Sequence, residues 1–369
     1  MKNHTRRFAI SWLIPVSLLL SFPLSSCKKE TSYTSPEPEG ILFNSAGYET
    51  SPKVIKGDTV FEVWTEDRDT NCESEMYFHR STYKGKTWKL EKCLSYISPH
   101  PYYPTLGIWN SNVYVFWLSR QDDRYGIYYR RSTNAGESWE PSIPFTTAGK
   151  RVLYSDQTPC FTVIGQTVLA FWGEYLDDHR IAVQFKRSTD GGTSWEPSLQ
   201  LTTLVREGNT APSEFSFRRS ALLLIMIWRD DRDGFRKAIY FKRSTDGGKT
   251  WGLDTRLVNS PEWLLEPNLA VTGSAVHLAW QDIRDGNWEI YYKHSTDGGL
   301  TWCPDIRFTS DPGLSKSPQI TSEGTTVGIT WDDRRGDEWK KYRKCSTDGG
   351  RTWGSDSVVG SGQSGYLAL

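Results

Sequence analysis

The residues best placed to do chemistry come in pairs. Glu66 and Arg68, Asp230 and Arg232, Asp282 and Arg284, and Asp333 and Arg335 stand two and four residues after Trp64, Trp228, Trp280 and Trp331. A period of two puts both members of a pair on one face of an extended strand. A guanidinium so placed can grip a carboxylate through two parallel N–H bonds. Two partners are open to it. The arginines could ring an acidic ligand, or each could lock to its own acid as architecture. The acid supplied with every arginine favours the second reading. An asymmetric site is then better sought where the pattern breaks. Ser119 with Gln121, and Glu174 with Leu176, hold these positions after Trp117 and Trp172, and the same segments carry Arg120, Arg124 and Arg180. The stretches leading into later repeats add Tyr102, Tyr103, Tyr154, Asp156, Trp263 and Glu266. This polar and aromatic set suits sugars.

A repeat positions these residues. One motif occurs six times, from Ser81 to Trp88, Ser132 to Trp139, Ser188 to Trp195, Ser244 to Trp251, Ser295 to Trp302 and Ser346 to Trp353. The last four copies read Ser-Thr-Asp-Gly-Gly-x-Thr/Ser-Trp, with Asp190, Asp246, Asp297 and Asp348 third in the box. The second tryptophan of each unit, Trp64, Trp117, Trp172, Trp228, Trp280 or Trp331, ends an apolar run upstream, and Pro52, Pro104, Pro159, Pro212, Pro267 or Pro318 lies further upstream still. Each unit therefore reads as four strands. Strand A follows the proline, strand B ends at the first tryptophan, strand C runs into the box and strand D follows the box tryptophan. Six such units predict an all-β, six-bladed propeller of four-stranded antiparallel blades. The A–B and C–D turns fall on one face of it. The B–C and D–A loops, with the candidate ligand residues, fall on the other.

The box has a mechanical reading. Its Asp accepts backbone N–H bonds across the C–D turn, its glycines supply positive φ, and its tryptophan packs between sheets. Copies one and two carry Tyr83 and Asn134 in place of Asp, so those hairpins are expected to be less tightly tied. The motif resembles the Asp-box, or BNR repeat, of the sialidase superfamily, over about Pro52 to Trp353. That resemblance implies the propeller fold and a ligand face at the B–C and D–A loops. For an active sialidase it implies an arginine triad, an acid/base Asp and a Tyr nucleophile activated by a Glu. Tyr102, Tyr103 and Tyr154 could be such nucleophiles, and Glu207 or Glu266 their partners, but no motif links them. The family's Phe/Tyr-Arg-Ile-Pro signature is absent; Phe217-Arg218-Arg219-Ser220 is the nearest string. No catalytic set is transferred. The two functional expectations are a non-catalytic propeller recognising carbohydrate or a surface partner, and an exo-α-sialidase-type glycoside hydrolase.

Export is expected from the other end. Lys2, Arg6 and Arg7 precede an apolar run from Phe8 to Leu20, and Leu24-Ser25-Ser26-Cys27 resembles a bacterial lipobox. This divides the chain into a lipoprotein signal at 1–27 with lipid on Cys27, a tether at 28–40 rich in Lys, Ser, Thr, Pro and Glu, and one propeller over 41–369. The expected location is the outer membrane or cell surface, held through the lipid only. With 44 Lys+Arg against 44 Asp+Glu, nucleic acid is not an expected partner. No metal-ligand spacing, P-loop or nucleophile elbow occurs, so no cofactor or metal is expected. A monomer is expected. Ile41 to Ser45 and Ser357 to Gly360 both offer a strand for the outer slot of the last blade, and the N-terminal segment is expected to close it. Cys72 and Cys93 fall on one face of blade one, which offers a disulfide between them.

Overall fold

A computed structural model describes residues 52–68, 74–89, 91–95, 101–121, 124–147, 150–153, 160–177, 180–205, 215–230, 232, 238–336 and 338–362. These form six antiparallel sheets, spanning 53–93, 101–144, 151–205, 215–259, 264–307 and 315–361 in chain order. Each sheet pairs its strands A-B-C-D in the order of the chain. The fifth is representative, with strands Leu264–Thr272, Ala275–Asp282, Glu289–Ser295 and Ile306–Arg307. The A strands of consecutive sheets touch one another, so they are innermost. The fold is an all-β propeller of four-stranded blades.

Apolar residues on both faces of strands B and C fuse the sheets. The described residues form five core clusters, and each bridges two consecutive sheets, from first-second to fifth-sixth. The strand-B tryptophans Trp117, Trp172, Trp228, Trp280 and Trp331 are all fully buried in them. Each box tryptophan packs against the preceding sheet: Trp139 on Phe78, Trp195 on Phe145, Trp251 on Phe185, Trp302 on Phe241 and Trp353 on Phe308. A strand-C cation adds a polar tie at every one of these joints. Arg130 donates to the carbonyl of Leu94, Lys186 to Phe145, Lys242 to Leu201, Lys293 to Leu257 and Lys344 to Phe308. The first sheet breaks the rule. Its cation position is His79, stacked on Trp88 with centroids 3.7 Å apart, and Trp88 remains 39% exposed.

The boxes fold as read. Asp297 Oδ1 accepts from Ser295 Oγ at 2.7 Å and from Thr301 N at 2.9 Å, while Gly299 N donates to Ser295 Oγ at 2.9 Å. These bonds hold the carboxyls of Asp297 and Asp348 well below the usual range, and those of Asp190 and Asp246 at about 2. The second copy corrects an expectation. Asn134 Oδ1 accepts from Ser132 Oγ and from Ser138 N, both at 2.9 Å, because an amide oxygen fills the role of a carboxylate oxygen here. In the first copy the side-chain ties come from Ser81 Oγ, which accepts from Tyr83 N and Gly85 N.

Strand A begins after the proline in the first, third and fourth sheets, at Lys53, Cys160 and Phe215, but needs correction in the other three. In the second, fifth and sixth sheets it begins at Pro101, Leu264 and Ser315 and passes through a bulge that holds the proline. The residue before that proline takes positive φ: 47° at Tyr103, 50° at Glu266 and 54° at Ser317. A bulge is where a strand tolerates proline, which lacks the ladder N–H. Neighbouring sheets brace these bulges. Ser317 N donates to Gln281 Oε1 at 2.9 Å, and the Arg229 guanidinium donates to Leu264 O at 3.3 Å. In the third sheet, Leu153 N bonds Gly173 O and Cys160 resumes opposite Phe171, so six residues stand where the fifth sheet has two.

Cys93 is a free thiol, so the Cys72–Cys93 disulfide does not form. Cys160 and Cys303 are also free, and Cys345 is half of a disulfide whose other half lies outside the described residues. The signal segment, Cys27, the tether and Ile41 to Ser45 likewise lie outside them. Among the described residues no helix is long and apolar enough to cross a membrane.

Candidate functional site

The paired residues after strand B build the same unit in four sheets. The tryptophan Nε1 donates to the acid two residues on, at 3.1 Å for Trp64–Glu66, Trp228–Asp230 and Trp280–Asp282, and 2.8 Å for Trp331–Asp333. The arginine two residues further folds back on that acid. Its guanidinium lies over a strand-C tyrosine, 3.9 Å from Tyr77, 4.7 Å from Tyr240, 4.5 Å from Tyr291 and 4.1 Å from Tyr342. A second carboxylate completes it. Arg68 meets Glu91 at 2.7 Å, Arg232 meets Asp254 at 2.9 Å, Arg284 meets Asp305 at 3.0 Å and Arg335 meets Asp356 at 2.5 Å. In three sheets that acid also holds the strand-C lysine: Lys242, Lys293 and Lys344 lie 2.8–3.0 Å from it.

Burial alone would raise the Asp254 carboxyl, but hydrogen bonds from Thr202, Lys242 and Arg232 outweigh it and hold the group below its usual range. Glu66 is likewise held low, by the bonds from Trp64 and then Arg68. In the fifth sheet Arg284 spends Nε and one amino group on Asp282 and the other amino group on Asp305. A ligand would have to displace a carboxylate to reach it.

The second acid is a residue that the sequence reading missed, and its signal was present. Glu91, Asp254, Asp305 and Asp356 each stand three residues after a box tryptophan. In the second and third sheets that position is Ser142 and Ser198, and those are the sheets without the arginine. Arginine and second acid are gained or lost together. Glu174 still accepts from Trp172 Nε1 at 2.9 Å and is buried, whereas the second sheet offers Ser119, and the buried Trp117 Nε1 has no partner among the described residues.

The loop-face candidates divide into local groups. Arg120 and Arg124 are exposed at the facing ends of strands B and C of the second sheet, where Tyr125, beside them, meets Tyr102 edge-on at 5.9 Å. Tyr103 sits in the adjoining bulge. In the third sheet Arg180 pairs with Asp177 at 2.7 Å, and Arg151 lies 4.2 Å over Tyr175. Trp263 is 49% exposed just before strand A of the fifth sheet, and Glu266, in its bulge, acts electrostatically on Lys316 of the next sheet. Tyr154, Asp156 and Glu207 lie outside the described residues. Among the described residues no three His, Cys, Asp or Glu side chains are grouped to hold a metal ion.

No family model matches the chain. A sialidase of Bacteroides fragilis (strain YCH46) is 24% identical over 227 residues, which cover 55% of this chain and 38% of that protein. The chain thus spans less than half the length of this curated relative. Among solved structures, a Hadza microbial sialidase is 17% identical, with 79% of this chain and 63% of that one covered at a TM-score of 0.37. An ulvan lyase of a polysaccharide lyase family, bound to its sugar, is 11% identical with 87% of each chain covered at a TM-score of 0.49.

Proposed function

We propose that this chain is an envelope-anchored, sialidase-like propeller lipoprotein that recognises carbohydrate or a surface partner through its B–C and D–A loop face without hydrolysing it. One observation carries the non-catalytic reading. Each of the four repeated arginines is already held by two carboxylates and a tyrosine ring, so none is spare for a substrate acid. Recognition falls to the departures: Tyr102, Tyr103, Arg120 and Arg124 in the second sheet, Arg180 in the third, and Trp263 and Glu266 in the fifth. Flat aromatic faces suit sugar rings, and the polar groups around them suit hydroxyls. Tyr154 and Asp156 belong to the same loop face by sequence. Lipid on Cys27, followed by the tether, would leave this face free above a membrane.

A second reading is an active exo-α-sialidase-type hydrolase, favoured by the 24% identity to a sialidase. Hydrolysis of a fluorogenic sialoside separates the two. No turnover, together with saturable glycan binding that a Trp263→Ala variant weakens, is the expected result. Steady turnover abolished by a single Tyr→Phe change on the loop face would establish the hydrolase instead. With neither turnover nor glycan binding, the ligand is a surface protein.

A further inference from the structure

The two residues that flank each box turn are neighbours. The residue after the box tryptophan donates its backbone N–H to the carbonyl of the residue before the box serine, as Glu140 does to Arg131 at 2.9 Å, Glu196 to Arg187 at 2.8 Å and Cys303 to His294 at 3.0 Å. The second and third sheets use these neighbours as ion pairs, Arg131–Glu140 at 2.6 Å and Arg187–Glu196 at 2.7 Å. The fifth sheet keeps the geometry and changes the chemistry. Its pair is an imidazole and a thiol.

Cys303 is a free thiol and is part-exposed. Its Sγ lies 3.3 Å from His294 Nδ1 and accepts the backbone N–H of His294 at 3.2 Å. Both contacts favour sulfur as the anion: one offers a base for the thiol proton, the other a donor to the thiolate. The imidazole is held in place from behind. It stacks on Tyr292 with centroids 5.6 Å apart and on His277, its partner in the ladder, at 6.3 Å, and Tyr292 Oη is itself bonded to His277. Burial first and the Arg351 guanidinium second lower the pKa of His294, with Asp348 opposing them more weakly, so the ring is neutral near pH 7 and able to accept a proton. Among the described residues no histidine is bonded to either of the other free thiols, Cys93 and Cys160, and burial raises the pKa of both.

We propose that Cys303 is a nucleophilic thiol activated by His294, and that it reacts with a low-molecular-weight disulfide to form a mixed disulfide. With its own proton on Nε2, His294 accepts the Cys303 proton at Nδ1. The thiolate attacks one sulfur of the reagent, the reagent's S–S bond breaks, and the leaving thiolate recovers the proton from His294. One disulfide bond is lost and one is formed, so no further oxidant is needed. Cys303 directly follows the box turn, on the face opposite the B–C and D–A loops. This chemistry is therefore independent of any ligand bound there.

Timed reaction of the full-length protein in detergent with glutathione disulfide tests it, read by mass spectrometry as the glutathione adduct on each cysteine peptide. Cys93, a part-exposed free thiol of the same molecule, is the internal reference. Cys303 should form the adduct about tenfold or more faster than Cys93, and dithiothreitol should remove it. His294→Gln, which keeps a polar side chain but no base, should bring Cys303 to within about twofold of Cys93. Equal rates for the two cysteines in wild type overturn the proposal. So does a rate at Cys303 that His294→Gln leaves unchanged. If His294→Gln does not fold, wild type decides the matter: an advantage for Cys303 that persists in unfolding urea belongs to its peptide and not to His294, and overturns the proposal.

Discussion

Asp282 is the hub of the fifth sheet's lock, and its loss should be costly. Its side chain is fully buried and accepts five hydrogen bonds, from Trp280 Nε1, Arg284 N, Arg284 Nε, an Arg284 amino group and Ser260 Oγ. In Asp282→Ala the buried indole N–H loses its only partner, which costs about 1–3 kcal/mol. The Ser260 hydroxyl, also buried, loses its acceptor, and the half-buried Arg284 keeps only Asp305. Breaking a buried ion pair from one side costs about 3–5 kcal/mol, and we expect that total here. Glu66 occupies the same position in the first sheet, yet its side chain is 46% exposed. Water replaces its bonds, so Glu66→Ala should cost about 0–1 kcal/mol. Urea unfolding of both variants, compared through midpoint and slope, gives the difference directly. If Asp282→Ala falls within 1 kcal/mol or so of Glu66→Ala, the repeated lock is not a source of stability and the reasoning that assigned its arginines to architecture is wrong.

Further outcomes are expected. At Gly350, with φ at 83°, a methyl group would overlap the Tyr292 hydroxyl, so Gly350→Ala should lower stability by at least about 1–3 kcal/mol in the same urea assay. His277 is buried, bonds Tyr292 Oη through Nδ1 at 2.8 Å, and has a pKa pushed down to about 4 by burial first and by His294 second. The unfolded chain takes up this proton near pH 6.5 and the folded one does not. Stability is therefore fully present above that pH and falls as pH drops toward 4, by roughly 3 kcal/mol. His277→Gln should flatten that limb of a pH–stability curve. Cys27→Ser should move the protein from the membrane pellet to the soluble fraction. Retention in the pellet would rule out the lipid anchor.

The strands, the hairpins and the tryptophan positions were legible because the repeat states them six times. The start of strand A was not, in the second, fifth and sixth sheets. Proline normally interrupts a ladder, so the strand was read as beginning after it, yet the bulges at Tyr103, Glu266 and Ser317 carry pairing past it. Asn134 was read as a weakened Asp from its charge, but the turn needs an oxygen rather than a charge. The lock was half legible. The Asp and Arg after strand B announce themselves by spacing. The acid after the box was hidden, because its arginine partner stands on another strand more than twenty residues away in sequence.

The first sheet's exception has a mechanical consequence. Five joints carry a core cluster, a seated box tryptophan and a cation tie, so force or heat applied to the molecule meets five similar welds. On its outward side the first sheet offers His79 and a part-exposed Trp88, and the outer strand of the sixth, Ser357–Ser361, is exposed along its whole length. Opening should start at these exposed edges and run inward from them. Amide exchange would then be fastest in the first and sixth sheets and slowest in the third and fourth. Among the described residues, the edges with the least support are thus the outward side of the first sheet and the outer strand of the sixth.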